Sequence, residues 1–362
     1  ISQKPKNPKI VLKEVADKNS SDFEQKKEEI KTIGTVFALS KIEGKTAKVK
    51  TKNDASSITE VIAKESIKVE KVQEDFSSQN PRPPFITSTL QQAGVNVLGF
   101  SAKKIMQVAQ KLYESGYITY MRTDSLNMSN IAIASGEKYI KELYGSKYLP
   151  ESRRYYKNKN KNAQEAHECI RPVDFFSNSA KLSLDGDEKK VYDLIWKRAL
   201  SSIMASAQVK NVSVIATVQN YELKATGSQI VFDDYLKVYP EKIGNKILPD
   251  FKEGEMLYPD SIEAKQHFTE PPARYSEASL IKKMEFLGIG RPSTYATIIS
   301  TIISRKYVES INKYLRPTDV GVVVNKLLTK YFTDIVDYDF TRTMEENLDN
   351  IAEGKIQWQE LL

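Results

Sequence analysis

Apolar and polar residues alternate over two separated stretches of the chain, and apolar residues fall on a 3.6-residue period over most of the remainder. Alternation covers Ile33 to Leu39, Thr46 to Lys50, and Ile67, Val69 and Val72. It returns from Val209 to Tyr239 through Val212, Val214, Ala216, Val218, Leu223, Ala225, Ile230, Phe232, Leu236 and Val238. These are predicted strands, with a hairpin at Glu43-Gly44-Lys45 and turns at Gly227-Ser228 and Asp233-Asp234. Ile10, Val11 and Leu12 predict one further strand, followed to residue 30 by a charged, solvated connection. Ser56 to Glu65 reads as a short helix and Ser77 to Asn80 as a polar linker. The later strands find no partners in the helical part between, so they pair with the earlier ones. That predicts one β-rich domain, residues 1–80 and 206–265, interrupted by an insertion whose two crossings near Asn80 and Ser206 form a hinge.

The insertion, residues 81–205, opens on Pro81-Arg82-Pro83-Pro84, where proline disfavours helix in itself and its predecessor. A helix then starts at Phe85 to Gln92 with Thr87 or Ser88 as cap. Ser101 caps the next, whose stripe is Ile105, Val108, Ala109, Leu112 and Tyr113, and Gly116 suits the left-handed position that ends it. Ser129 to Leu143 is a further helix. Another runs from Glu188 to Leu200 on a stripe of Val191, Leu194, Ile195 and Leu200. In the last part, residues 266–362, Ser276 caps a helix to Leu287 and Gly288 and Gly290 break it. Pro292 and Ser293 start a second helix with Tyr295, Ile298, Ile299, Ile302 and Ile303 on one face. The extended pieces Tyr307 to Ile311 and Lys313 to Arg316 complete a winged helix-turn-helix pattern. Arg291, Ser293 and Thr294 sit where free N–H groups and the helix dipole favour an anion.

Composition narrows the function classes. The 362 residues, 40% hydrophobic, are enough for two or three domains. No apolar run is long enough to span a membrane, and the lysine-rich start lacks a signal-peptide core. The single Cys169 excludes an internal disulfide and any cysteine-based zinc site. Lys and Arg outnumber Asp and Glu by 54 to 47, a net charge of +7 that favours a polyanionic partner. Arg153, Arg154, Lys157, Lys159 and Lys161, interleaved with Tyr155 and Tyr156, read as a solvated basic loop that can also meet phosphates.

The chemistry concentrates in Gly116-Tyr-Ile-Thr-Tyr-Met-Arg-Thr-Asp-Ser125. For any one of 19 tyrosines a half-buried, hydrogen-bonded role is the default. Tyr120, however, stands two residues before Arg122, after β-forming Ile118 and Thr119 that leave the preceding helix. A phenol with pKa near ~10 is a poor nucleophile at neutral pH. A guanidinium beside it stabilises phenolate and holds a phosphate bidentately, so a phosphodiester target lets one arginine serve both needs. His167-Glu168 does not start a metal-binding His-Glu-x-x-His, because Arg171 stands where the second histidine is required. Asp185-Gly186-Asp187 is explained by helix capping rather than by a metal.

The Tyr120 run closely resembles the active-site motif of the type IA DNA topoisomerases, and Met121 resembles their bacterial topoisomerase I branch. Phe85-Ile-Thr-Ser-Thr-Leu-Gln-Gln92, Glu165-Ala-His-Glu-Cys-Ile-Arg-Pro172 and Gly288-Ile-Gly-Arg-Pro-Ser-Thr-Tyr-Ala296 are similar to further segments of that family. Tyr338 to Thr341, Met344-Glu345 and Leu348-Asp349 match as well. The resemblance covers most of residues 81–362 and thins over the N-terminal strands. It implies a multidomain α+β fold forming part of a toroidal core: the β-rich domain, the winged-helix-like catalytic domain, and a second winged-helix-like DNA-binding domain. Tyr120 would form a 5′-phosphotyrosine with single-stranded DNA, activated by Arg122, with His167 stabilising the phosphate charge. Arg291, Thr294 and Arg305 would position DNA, with Ser293 in the same cluster, and Gln110 and Glu114 match positions close to the site. The resemblance further implies a cytoplasmic, nucleoid-associated monomer that relaxes negatively supercoiled DNA without a nucleotide cofactor. Its Mg²⁺ would sit in a Toprim domain with no counterpart here, and the zinc ribbons are also missing. This sequence is therefore expected to be a fragment that binds no metal and is inactive in relaxation. The alternatives are a non-catalytic single-stranded DNA-binding module, in which Tyr120 only stacks on a base, and a topoisomerase III or reverse-gyrase relative.

Overall fold

The structure, a computed structural model, describes residues 5–13, 35–157, 167–241 and 244–360, the first of these as backbone. Lys159, Lys161, Gln164 to Ala166, Ile33 and the connection expected before residue 30 lie outside the described residues. The chain divides into two compact units. One comprises 1–79, 207–233 and 241–272, the other 80–206, 234–240 and 273–362, so the chain passes between them after residues 79, 206, 233, 240 and 272 rather than at two crossings alone.

The first unit is built on an antiparallel sheet of β1 (Pro5–Lys13), β2 (Phe37–Ile42), β3 (Lys45–Thr46), β4 (Ile67–Gln79), β5 (Ala207–Val218), β6 (Tyr221–Phe232), β7 (Met256–Leu257) and β8 (Ser261–Phe268), in the order β7-β4-β5-β6-β2-β1-β8 with β3 on β2. The expected pairing of the early and late stretches is present: β4 lies against β5 and β6 against β2. Alternation buries Ile67 and Val69 from β4 with Val214, Ala216 and Val218 from β5. Against them packs α1 (Lys52–Lys64) through Ala55, Ile58 and Ile62; its start is fixed by a capping box between Thr51 and Asp54.

Several expectations need correction here. Ser77 to Gln79 are not a linker but the end of β4, paired with Val209, Gln208 and Ala207, because ladder bonds use the backbone and need no apolar side chain. The strand expected over Thr46 to Lys50 ends at Thr46. Gly227 and Ser228 are no turn; they lie within β6, opposite Val212 and Asn211, and the connection is Gln219-Asn220. Glycine is required at 227 because the Lys246 carbonyl and the Leu248 side chain press against it: an added Cβ would lie 2.6 Å from the Lys246 carbonyl oxygen and 2.6 Å from Leu248 Cγ. Leu236 is not in a strand, since β6 stops at Phe232 and a 3-10 turn covers Asp234–Lys237. Strand β8 was not expected at all; its few apolar residues sit among Glu263, Lys265 and Gln266.

The second unit contains α2 (Thr87–Ala93), α3 (Ala102–Glu114), α4 (Asn130–Leu143), α5 (Gly186–Ser202), α6 (Glu277–Leu287), α7 (Tyr295–Ser304), the hairpin β9 (Val308–Ile311) and β10 (Tyr314–Pro317), then α8 (Asp319–Tyr331), α9 (Thr333–Val336) and α10 (Tyr338–Ala352). The predicted caps Ser101, Asp185 and Ser276 all accept from the first turn of their helices, and Ser129, read as the first residue of α4, is its cap. Thr87 and Ser88 are not caps; α2 begins after Ile86, whose N–H donates to Thr89 Oγ1. Pro292 and Ser293 do not open α7 but form a turn before it. Ala102, Ile281, Met284, Tyr295 and Ile299 share one cluster, so α6 and α7 pack on the start of α3, the helix that leads into the tyrosine segment.

Candidate active site

Helix α3 delivers the tyrosine segment at a fixed angle because it ends in a Schellman motif. Gly116 is left-handed at φ +74°, its N–H donates to the Tyr113 carbonyl at 2.9 Å, and the Tyr117 N–H donates to the Leu112 carbonyl at 2.9 Å. The chain then runs extended, with Ile118 bridged to Pro172. Both sides of Tyr120 are tied down by threonines. Before it, the Thr119 N–H donates to the Arg171 carbonyl (2.9 Å) and its Oγ1 donates to the Cys169 carbonyl (2.6 Å) while accepting from the Arg171 N–H (3.0 Å). After it, the buried Thr87 Oγ1 donates to the Met121 carbonyl (2.7 Å) and accepts from the Thr123 N–H (2.9 Å). The Thr87 N–H in turn donates to the Thr123 carbonyl at 2.9 Å.

The same stitching brings His167 to the tyrosine. Ile170 pairs with Phe85, Cys169 N–H donates to the Asn127 carbonyl at 2.7 Å, and Glu168 accepts from the Ser129 N–H at 2.8 Å. Arg171 Nε reaches the other Glu168 oxygen at 3.0 Å. Burial raises the Glu168 pKa, but the Ser129 hydrogen bonds and the Arg171 charge outweigh it, so the carboxyl sits below its ordinary value. Cys169, fully buried, has its thiol pushed up to about 12 by desolvation. Tyr120 therefore stands with His167 on one side, ring centroids 5.8 Å apart, and Tyr113 on another at 5.2 Å, edge to face. It is 36% exposed, and its hydroxyl makes no hydrogen bond to the described residues.

Arg122 is exposed and makes no hydrogen bond or ion pair with the described residues. It lines a groove of about 930 Å³ whose walls include Lys104, Gln110 and Lys111 of α3, Asp187 and Glu188 of α5, and Ser293, Thr297 and Ser300 of the α7 region. Lys104 is paired to Asp187 at 2.6 Å. Glu114, one turn beyond Gln110, accepts from its Nε2 at 2.6 Å, so this predicted pair is one unit.

Arg291 and Thr294 are placed differently from the expectation. Thr294 Oγ1 accepts from the Arg291 N–H at 2.8 Å and thus closes the turn before α7. The Arg291 guanidinium is held by α10: Nε and Nη2 donate to Asp349 at 3.1 and 2.8 Å, and Glu345 lies 3.5 Å from Nη1. Nη1 also donates to the carbonyls of Gly288 (3.2 Å) and Gly290 (2.9 Å). Burial lowers the Arg291 pKa, yet Asp349 and Glu345 raise it further, keeping it above its ordinary value. Asp124 belongs to the same electrostatic cluster; burial first, then repulsion from Asp349, lift its carboxyl above the usual range against its own backbone hydrogen bond, Arg291 and His167. Arg305 caps the far end of α7, about 16 Å along the helix from Thr294, and joins neither cluster.

The basic loop is partly structural. Arg153 is bidentate to Glu137 at 2.8 Å, and Arg154 donates to the Met204 carbonyl, Asn80 and Ser206. Among the described residues no group of three or more His, Cys, Asp or Glu side chains could hold a metal ion, and Asp349 and Glu345 are committed to Arg291. These residues do not fit the Mg²⁺ that the resemblance implies. The sequence placed Thr119 and Asp124 beside Tyr120 and Glu168 and Asp349 in matching segments, but it did not show the bonds that these residues and Thr87 make. Glu345 and Asp349, four apart on α10 and so on one face, were the available signal for those of Asp349.

Comparison with known proteins gives the same direction over the whole chain. The pattern of the DNA topoisomerase family matches residues 9–362. The chain is 48% identical over 327 residues to DNA topoisomerase 1 of Rickettsia felis, covering 85% of this chain and 42% of that protein. It is 46% identical over 336 residues to DNA topoisomerase 1 of Campylobacter jejuni, covering 90% and 48%. It also resembles the structure of full-length topoisomerase I from Thermotoga maritima, with a TM-score of 0.81 and 33% identity over 99% of this chain and 56% of that one. It thus spans less than half the length of those two curated relatives. From a tyrosine clamped beside a histidine and an arginine, and from matches of this extent, the chain belongs to the bacterial type IA DNA topoisomerase I family.

Proposed function

We propose that this chain carries the nucleophile and part of the single-strand path of an enzyme that cleaves, passes and reseals DNA. Tyr120 Oη attacks a backbone phosphorus; the phenol loses its proton as the O–P bond forms, and the P–O3′ bond breaks with its pair on the 3′-oxygen, which takes up a proton. One phosphoester replaces another, so resealing by the 3′-hydroxyl needs no nucleotide. Arg122 stabilises phenolate and then the phosphate, and His167 donates to a non-bridging oxygen. The observation that carries this reading is the Tyr120 ring itself, 36% exposed, set against His167 and fixed on both sides by the Thr119 and Thr87 clamps. A ring that only stacked on bases would need neither the histidine nor an arginine two residues on that has no partner among the described residues.

The α6-turn-α7 pair with the β9–β10 hairpin serves as a winged helix-turn-helix, and the residues around Tyr120 as the catalytic domain of a toroidal core. Gln110, Glu114 and Ser293 border the strand near Arg122, while Arg291, Thr294 and Arg305 contact phosphates further along. The whole protein acts as a monomer on negatively supercoiled DNA in the bacterial nucleoid and uses Mg²⁺ held outside the residues described here. The test is capture of a 3′-labelled single-stranded oligonucleotide by the full-length protein with Mg²⁺. Wild type retains label on the protein and Tyr120→Phe does not, although both bind the oligonucleotide. Binding by both without capture by either would refute the cleavage reading in favour of a binding module.

A further inference from the structure

Arg291 is in an unusual state for a phosphate ligand. Four N–H groups of its fork are used inside the protein: Nε and one Nη2 proton on Asp349, and both Nη1 protons on the Gly288 and Gly290 carbonyls. A carboxylate offers a guanidinium two oxygens in the arrangement that a phosphate offers, so Asp349 occupies the bidentate edge a DNA phosphate needs. Glu345, one turn earlier on α10, reinforces the hold from 3.5 Å and also accepts from the Gly290 N–H at 3.1 Å. The pair is not sealed away, with the two side chains 26% and 36% exposed, so an incoming anion can reach it.

We infer that Asp349 is an internal competitor for the DNA phosphate at Arg291: the site is held shut by a carboxylate, and a strand binds there only by displacing it. This rests on the reading of Arg291 as a phosphate contact. The consequence is thermodynamic. An arginine that leaves water to meet a phosphate contributes about 0.7 to the salt slope of single-strand binding through counterion release. Asp349, expelled in the exchange, leaves its negative charge beside the strand, so the net positive charge gained there is small and Arg291 contributes little to that slope in the wild-type protein.

The test is binding of fluorescent oligothymidylate to the chain across a salt series. Asp349→Asn is expected to tighten binding about three- to tenfold and to steepen the salt slope by about 0.7. Asp339→Asn, which makes the same charge change on α10 but faces Arg342, controls for a general electrostatic gain. In an Arg291→Gln background the effect of Asp349→Asn should fall to that of Asp339→Asn, the signature of a coupled pair. Weaker binding by Asp349→Asn, with its melting temperature unchanged, would mean that Asp349 aligns Arg291 and would overturn the competition. A gain equal to that of Asp339→Asn would overturn it as well. If Arg291→Gln itself leaves affinity unchanged, Arg291 is no DNA contact and the inference fails there, while label capture by Tyr120 remains a separate result.

Discussion

Thr87 offers the sharpest test of how the nucleophile is held. Its hydroxyl donates to the Met121 carbonyl at 2.7 Å and accepts from the Thr123 N–H at 2.9 Å, and Thr87, Met121 and Thr123 are all buried. Thr87→Val keeps the shape and removes both bonds, leaving one carbonyl and one N–H in an apolar setting. Each unsatisfied group costs about 1–3 kcal/mol, so the helical unit should lose about 2–6 kcal/mol. Thr87→Ser keeps the hydroxyl and should lose less than about 1 kcal/mol. Urea unfolding followed by circular dichroism measures the loss, and hydrogen exchange of the Thr123 amide locates it, since its protection should fall in the valine variant and persist in the serine one. In the full-length protein, label capture should fall with valine and recover with serine while oligonucleotide affinity stays constant. A valine variant within about 0.5 kcal/mol of wild type, or a serine variant as damaged as valine, would refute the clamp.

Glu168 contributes stability that is present above its unfolded value of 4.5 and is lost as pH falls through its lower folded value. Glu168→Gln should therefore melt below wild type at pH 7, with the gap narrowing as pH falls below 4.5; a gap independent of pH would contradict the sign. With its thiol pushed up to about 12 and its side chain buried, Cys169 should react with iodoacetamide at pH 8 at least about 100-fold more slowly in the native protein than in urea, and equal rates would show that the strand it sits on is open. Gly227→Ala places a methyl 2.6 Å from the Lys246 carbonyl oxygen and should cost about 1–3 kcal/mol by urea unfolding, whereas a neutral change would mean that residues 246–248 do not press on β6.

Features decided by neighbours in sequence were legible beforehand. The stripe and cap of α3, its left-handed stop at Gly116, the helix cap at Asp185 and the alternation in β4, β5 and β6 are all read from residues a few positions apart. The tyrosine with its arginine was legible for the same reason. What escaped was decided by distant chain. Gly227 is glycine because residues 246–248 cross it, which no local rule shows, so it passed for a turn. Thr87 looked like a cap because threonine before a helix usually is one, while its partners lie 34 and 36 residues away. Arg291 and Asp349 meet across 58 residues, and from sequence the arginine looked free to bind an anion.

The junction at the root of the helical insertion has a further consequence. Gln79 pairs with Ala207, and beyond them Ser206 Oγ donates to Asn80 at 2.6 Å, with Arg154 donating to both residues. The sheet is in effect knotted off where the intervening 80–206 segment leaves it. A hairpin's register is normally set by the length of its loop, but here the knot replaces the loop as the determinant. Connections inside residues 80–206 can thus change length without shifting β4 against β5, provided that Asn80, Arg154 and Ser206 stay. A designer exchanging the rest of the segment would keep those three residues, because they hold its two ends side by side.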